Sequence, residues 1–123
     1  TVYVAVKKRV PGEGMSAGMA ALSANPNIKM AIVVDDDIDI YNEQRVLWAI
    51  ATTFEADKSL ALIPNAMGSH LNPAAYGEVR TESGPMNTKV IIDATRPATL
   101  HFEEAIKPPK EAWDRIKLED YLD

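Results

Sequence analysis

The chain has 123 residues, enough for one domain around a single core. Thirteen Lys and Arg against 18 Asp and Glu leave a net charge of −5, which excludes a nucleic-acid backbone as the main partner, because neutralising phosphates takes a basic face. Cysteine is absent, which rules out disulfides, thiolate zinc sites and a cysteine nucleophile, and no run approaches the roughly 18 apolar residues of a membrane span.

Thr1 leads directly into Val2-Tyr3-Val4-Ala5-Val6, a β-rich run with no signal peptide and no initiator Met, as expected of a cytoplasmic piece cut from a longer protein. A charged loop, Lys7 to Gly14, follows. Met15, Met19 and Leu22 recur at helical spacing, which predicts a first helix stopped at Asn25-Pro26. Residues 29–34 are continuously apolar and predict a central strand, which runs into Asp35-Asp36-Asp37 and Asp39. Asn42 is a good N-cap for a second helix whose apolar face is Val46, Leu47, Ile50, Ala51 and Phe54.

Leu60 to Ile63 predicts a third strand ending at Pro64-Asn65. A loop of residues 65–87 follows, long enough inside a compact domain to be functional or disordered. Lys89 to Ile92 predicts a fourth strand ending in Asp93, and Pro108-Pro109 opens a last helix carrying Trp113 and Ile116, with Leu118, Tyr121 and Leu122 beyond. That apolar tail predicts a docking helix. The alternation of strands and helices points to an α/β layer structure with about four to five mostly parallel strands flanked by helices.

Three patterns carry candidate chemistry. The Asp35-Asp36-Asp37 cluster is placed like a Mg²⁺ site at a strand end. Consecutive residues on an extended chain face opposite ways, however, so three neighbouring acids do not converge on one ion unaided. Asp93 is the obvious second contributor, and the competing reading is acids that are solvated or paired with Lys7, Lys8 and Arg9. Gly12-x-Gly14-x-x-x-Gly18 imitates a dinucleotide fingerprint, but Glu13 puts a carboxylate where a pyrophosphate would sit. For His70 in the long loop and His101 beyond the fourth strand, no sequence spacing marks the partner that a general base needs. A stand-alone receiver-like or nucleotide-binding module using Asp35–Asp37 therefore stays open on these patterns.

Longer strings resemble one family. "VKKRVPGEGMSAGMAAL" (6–22), "KMAIVVDDDIDIYNEQRVLWAIATTF" (29–54), "ALIPNAMGSHLNP" (61–73) and "TKVIIDATRP" (88–97) are similar, in order and spacing, to the C-terminal region of the UbiD family. Its members are decarboxylases that use prenylated FMN on aromatic and α,β-unsaturated acids. The resemblance implies a parent enzyme several times longer, with an N-terminal flavin-binding domain or subunit upstream. Prenylated FMN, a divalent metal and K⁺ would be held there, along with the catalytic Glu-Arg-Glu set. It also implies a small unsaturated acid as substrate, homo-oligomeric contacts, and no catalytic, cofactor or metal ligand within residues 1–123 as a single domain. By matching position, Ser69 and Leu71, with His70 between them, would line the end of the substrate pocket, while Asp35, Asp36, Asp37, Asp39 and Asp93 would be signature residues with a structural role. Thr53 and Ser59 depart from the family's usual Arg and Asp.

Overall fold

The computed structural model describes residues 1–77, 84–97 and Arg115. Of the predicted docking helix only Arg115 is among them, in helical conformation, and His101 lies outside them. In chain order the elements are β1 (Val2–Val6), α1 (Glu13–Ala24), β2 (Met30–Asp35), α2 (Glu43–Thr53), the single turn α3 (Ala56–Ser59), β3 (Leu60–Met67) and β4 (Met86–Ala94). The four strands form one sheet in the order β1-β2-β4-β3. β1 runs parallel to β2 and β2 parallel to β4, while β3 is antiparallel to β4. The α/β architecture with a mostly parallel sheet is thus the one observed.

β2 is central and buried on both sides. Its alternate residues feed two separate cores, as a period of two requires. Ala31 and Val33 join Ile91 and Leu22 beneath α1, whereas Ile32 and Val34 join Ile38, Val46, Ala49 and Ala94 beneath α2.

The face of α1 differs from the one expected. Gly14, Gly18 and Leu22 are its buried positions, while Met19 is 48% exposed. A Cβ on Gly14 would overlap the Asp93 carboxylate, and one on Gly18 would overlap Ile91 Cγ2. The helix therefore lies against β4 through two glycines spaced one turn apart. Of the expected face, Leu22 is buried and Met15 packs half-buried at the side of that contact, while Met19 stays out of it.

α2 shifts in the same way. Val46 and Ala49 point inward, and Ile50 and Phe54 pack beside them, but Leu47 is 64% exposed and Ala51 is also exposed. At 100° per residue, positions 47 and 51 stand one step around from the buried stripe. The N-cap is as expected: Asn42 accepts a hydrogen bond from the Gln44 N–H at 3.1 Å, and its carbonyl accepts from Val46.

β3 departs furthest from the expectation. It continues past Pro64 to Met67, with its register to β4 broken between Ile63 and Ala66. Pro64 is tolerated because β3 is an edge strand, where a missing N–H costs no ladder bond. Asn65 takes a left-handed φ of 58°, and its N–H donates to the Tyr76 hydroxyl at 2.7 Å.

Candidate functional site

The polar side chains gather at two opposite ends of the sheet. At the carboxyl ends of β2 and β4, Arg96 closes the acidic run. Its backbone N–H and Nε donate to Asp35 Oδ2 at 2.9 and 3.0 Å, and its Nη2 donates to Asp37 Oδ1 at 2.8 Å. Burial works against the guanidinium's charge, but Asp35 and Asp37 outweigh it and hold the Arg96 pKa above its usual value.

Asp93 is engaged separately. Its Oδ1 accepts from the Thr95 N–H at 3.1 Å and the Thr95 hydroxyl at 2.5 Å, and that hydroxyl accepts from Lys8 Nζ at 2.9 Å. Asp39 Oδ1 accepts from the Tyr41 N–H at 3.0 Å, tying the turn that follows β2, while Asp36 is exposed. The acids therefore do not converge: among the described residues no three of His, Cys, Asp and Glu are grouped so as to hold a metal ion. The expected pairing with Lys7, Lys8 and Arg9 is replaced by Arg96, with only Lys8 reaching in, through Thr95. The signal for Arg96 was in the sequence, since two strands both ending in Asp and adjacent in the sheet bring the residues after the second beside the first.

The glycine loop is closed to anions by its own acid. Glu13 Oε2 accepts from the Arg9 and Val10 N–H groups at 2.5 and 3.4 Å. The Arg9 N–H chiefly, then the Val10 N–H and the charges of Arg9 and Lys8, hold the Glu13 carboxyl below its usual range. A pyrophosphate would have to displace that carboxylate.

The other end of the sheet holds an open pocket of about 350 Å³, lined by Asn27, Lys29, Ser69, Leu71, Asn72 and Asn87. Three segments far apart in sequence build it. The first is the turn before β2, held by Lys89, whose Nζ donates to the carbonyls of Pro26 (2.8 Å) and Ile28. Lys89 is 5% exposed, and burial pushes its ammonium pKa down.

The second is the loop leaving β3. The Ser69 hydroxyl oxygen accepts from the Leu71 N–H at 3.2 Å, and Asn72 Oδ1 from the Ala74 N–H at 3.1 Å, so the backbone is turned by its own side chains. Gly68 brings this loop against β4, where a Cβ would stand 3.2 Å from the Met86 carbonyl carbon and 3.3 Å from the Asn87 nitrogen. The Tyr76–Met86 bridge, with two backbone bonds of 2.9 Å, ties the loop down again.

The third is the start of β4 itself. Asn87 is 3% exposed, and among the described residues its Oδ1 and the Asn72 Nδ2 are buried without a hydrogen-bond partner. Two of the three loop residues singled out from sequence, Ser69 and Leu71, thus stand in this pocket. His70 is exposed beside them and is not among the lining residues. Lys29, Asn27 and Asn87 were missed, because nothing local marks them: they meet the loop only once β4 is inserted between β2 and β3.

Comparison with known proteins places this arrangement. Residues 1–94 match the family described as the 3-octaprenyl-4-hydroxybenzoate carboxy-lyase C-terminal domain. The chain is 44% identical over 94 residues to the anhydromevalonate phosphate decarboxylase of Aeropyrum pernix, covering 76% of this chain and 20% of that protein. It is 34% identical over 130 residues to the phenolic acid decarboxylase of Sedimentibacter hydroxybenzoicus, covering 98% of this chain and 26% of the relative. The UbiD-class enzyme HmfF from Pelotomaculum thermopropionicum, solved with FMN, superposes with a TM-score of 0.74 at 33% identity, over 98% of this chain and 25% of that one. An evolved dimeric form of the same enzyme was solved with prFMN. The chain spans about a fifth to a quarter of the length of these proteins. No helix among the described residues is long and apolar enough to cross a membrane. With its domain match and its relatives at this identity, the chain belongs to the UbiD family, whose C-terminal domain it carries.

Proposed function

We propose that this chain is the C-terminal domain of a longer cytoplasmic decarboxylase or carboxylase that uses prenylated FMN on aromatic or α,β-unsaturated carboxylic acids. The observation that carries this reading is the match of residues 1–94 to a carboxy-lyase C-terminal domain, in a chain a quarter the length of its decarboxylase relatives. The partner is an N-terminal flavin-binding domain or subunit, in a homo-oligomer.

The described residues do not fit the flavin or its metal ions: no acidic or histidine trio is grouped for a cation, and the glycine turn is filled by Glu13. In this reading the cofactor, the divalent metal and K⁺ are held by the flavin-binding partner. What this chain contributes is the loop from Gly68 to Tyr76, which is held rigid on β4 and presents Ser69 and Leu71 to the far end of the substrate. A Ser at 69 leaves that end roomier and more polar than a large apolar side chain would. Asp35, Asp37, Asp39 and Asp93 serve the fold by tying the strand ends and turns, and Asp36 stands exposed beside them as a signature residue.

The test is to co-express the full parent gene with a flavin prenyltransferase and screen CO₂ release over aromatic acids, acrylic acids and anhydromevalonate phosphate. Release from at least one acid is expected, and its absence from verified flavin-loaded protein overturns the reading. In the same screen, Ser69→Phe should shift preference toward smaller substrates, and an unchanged profile would remove Ser69 from the pocket.

A further inference from the structure

The pocket at the amino end of β2 carries an unusual combination of groups. Asn87 is almost fully buried, yet among the described residues its side-chain oxygen has no partner, and the buried amide nitrogen of Asn72 has none either. A buried polar atom without a partner is costly, so such atoms in a pocket wall point to a ligand that supplies the missing bonds. Lys29 stands at the same pocket, exposed and with no side-chain hydrogen bond or ion pair among the described residues. The Ser69 hydroxyl uses its oxygen to accept from Leu71 and keeps its proton to donate.

The ligand is therefore asked for three things together: negative charge for Lys29, lone pairs for Asn72 Nδ2 and the Ser69 hydroxyl, and one proton for Asn87 Oδ1. A neutral hydroxyl satisfies both amides but leaves the ammonium uncompensated. A carboxylate, ionised at neutral pH, has no proton to give. A phosphate monoester has all three, because its second pKa near 6 leaves part of it as a P–OH monoanion close to neutral pH.

We propose that this pocket binds a phosphate monoester group on the substrate, with Lys29 pairing its charge, Asn72 and Ser69 donating to its oxygens, and Asn87 accepting from its P–OH. Lys89 is the positioning residue: by pinning the carbonyls of Pro26 and Ile28 it fixes the turn that carries Asn27 and Lys29. The inference rests on the proposed function for the statement that the ligand is a substrate, but the site is argued from the chain's own residues.

Inorganic phosphate and sulfate are the probes, titrated calorimetrically into the full-length protein without turnover. Phosphate should bind, with affinity falling at least tenfold in Lys29→Met and in Asn87→Leu. Lys29 is exposed, so its variant keeps the fold, which circular dichroism checks. Sulfate, which has no proton to give Asn87, should bind at least tenfold more weakly than phosphate. Methyl phosphate, a monoester that loses its P–OH proton above its second pKa of about 6, should bind more weakly as pH rises through that value. Inorganic phosphate keeps one P–OH as its dianion and should not. No binding, binding indifferent to Lys29→Met, or equal affinity for sulfate would overturn the proposal. Phosphate binding without CO₂ release from any acid would sink the proposed function and leave this site standing. CO₂ release by an enzyme that phosphate neither binds nor inhibits would do the reverse.

Discussion

Replacing Gly18 by Ala puts one methyl group into the closest contact between helix and sheet. The new Cβ would fall below 3.0 Å from Ile91 Cγ2 and stand 3.4 Å from Ile91 Cγ1 and Val33 Cγ2. Normal carbon–carbon contact is about 3.5–4.0 Å, so α1 and β4 would have to part by at least about 0.5–1 Å. Neither side can yield locally, because Ile91 and Val33 are both fully buried and packed against each other's neighbours. Overpacking of this kind costs about 1–3 kcal/mol. Ala is the better helix former and returns about 0.8–1.0 kcal/mol. A contact this close places the strain at the upper end of its range, so the net loss is about 2 kcal/mol.

Urea unfolding followed by far-UV circular dichroism measures it. The control is the same substitution in an Ile91→Ala background. That variant alone loses about 2–5 kcal/mol through its cavity, but it removes the methyl that Gly18→Ala would strike. There the second substitution should cost almost nothing, which gives an interaction energy close to the single-site loss. Equal costs in the two backgrounds, or a Gly18→Ala chain as stable as the parent, would refute the close-packing argument.

Arg96→Met should lower stability by about 1 kcal/mol, kept small because the guanidinium is 39% exposed and solvent screens it. The Asp37 arm of the pair, whose carboxylate is 56% exposed, should fade in high salt. A loss that is the same at low and high salt would mean the Asp37 pairing contributes nothing. For Lys89, burial lowers the folded pKa below the unfolded value of about 10.4. In that window the unfolded chain holds the extra proton, so stability rises with pH through it and the penalty is fully present below it. The stability difference between the parent and Lys89→Met should therefore shift in the parent's favour as pH approaches 10. A flat difference would show that the ammonium is not desolvated.

The parts of the fold legible in sequence were those whose cause is local. The β-rich run at Val2–Val6, the apolar core of β2 and the Asn42 cap each depend on residues within a few positions, and each stands where the pattern puts it. The misread parts depend on distance. Helix faces were read from large side chains, but α1 meets the sheet through Gly14 and Gly18, which carry no hydrophobic signal. The antiparallel direction of β3 follows from its return to pair with β4, and nothing within Leu60–Ile63 encodes it. The acid run was legible as a feature, but its partner Arg96 lies some sixty residues away. At the pocket, resemblance pointed to Ser69 and Leu71, while the opposite wall of Asn27, Lys29 and Asn87 required the sheet order.

The irregularity in β3 bears on how this molecule stays apart from its neighbours. Among the described residues β3 is an outer strand of the sheet, with Leu60 37% and Leu62 63% exposed, the composition that invites polymerisation by strand addition. Its regular pairing with β4 runs only from Leu60 to Ile63 before the register breaks. Pro64 then offers no donor, and the Asn65 N–H is already taken by Tyr76. Fibril-forming segments need about six or seven uninterrupted residues. The kink cuts the sticky rim to a length that cannot template a growing stack. The same few residues that aim the loop toward its pocket therefore also act as the chain's safeguard against aggregation.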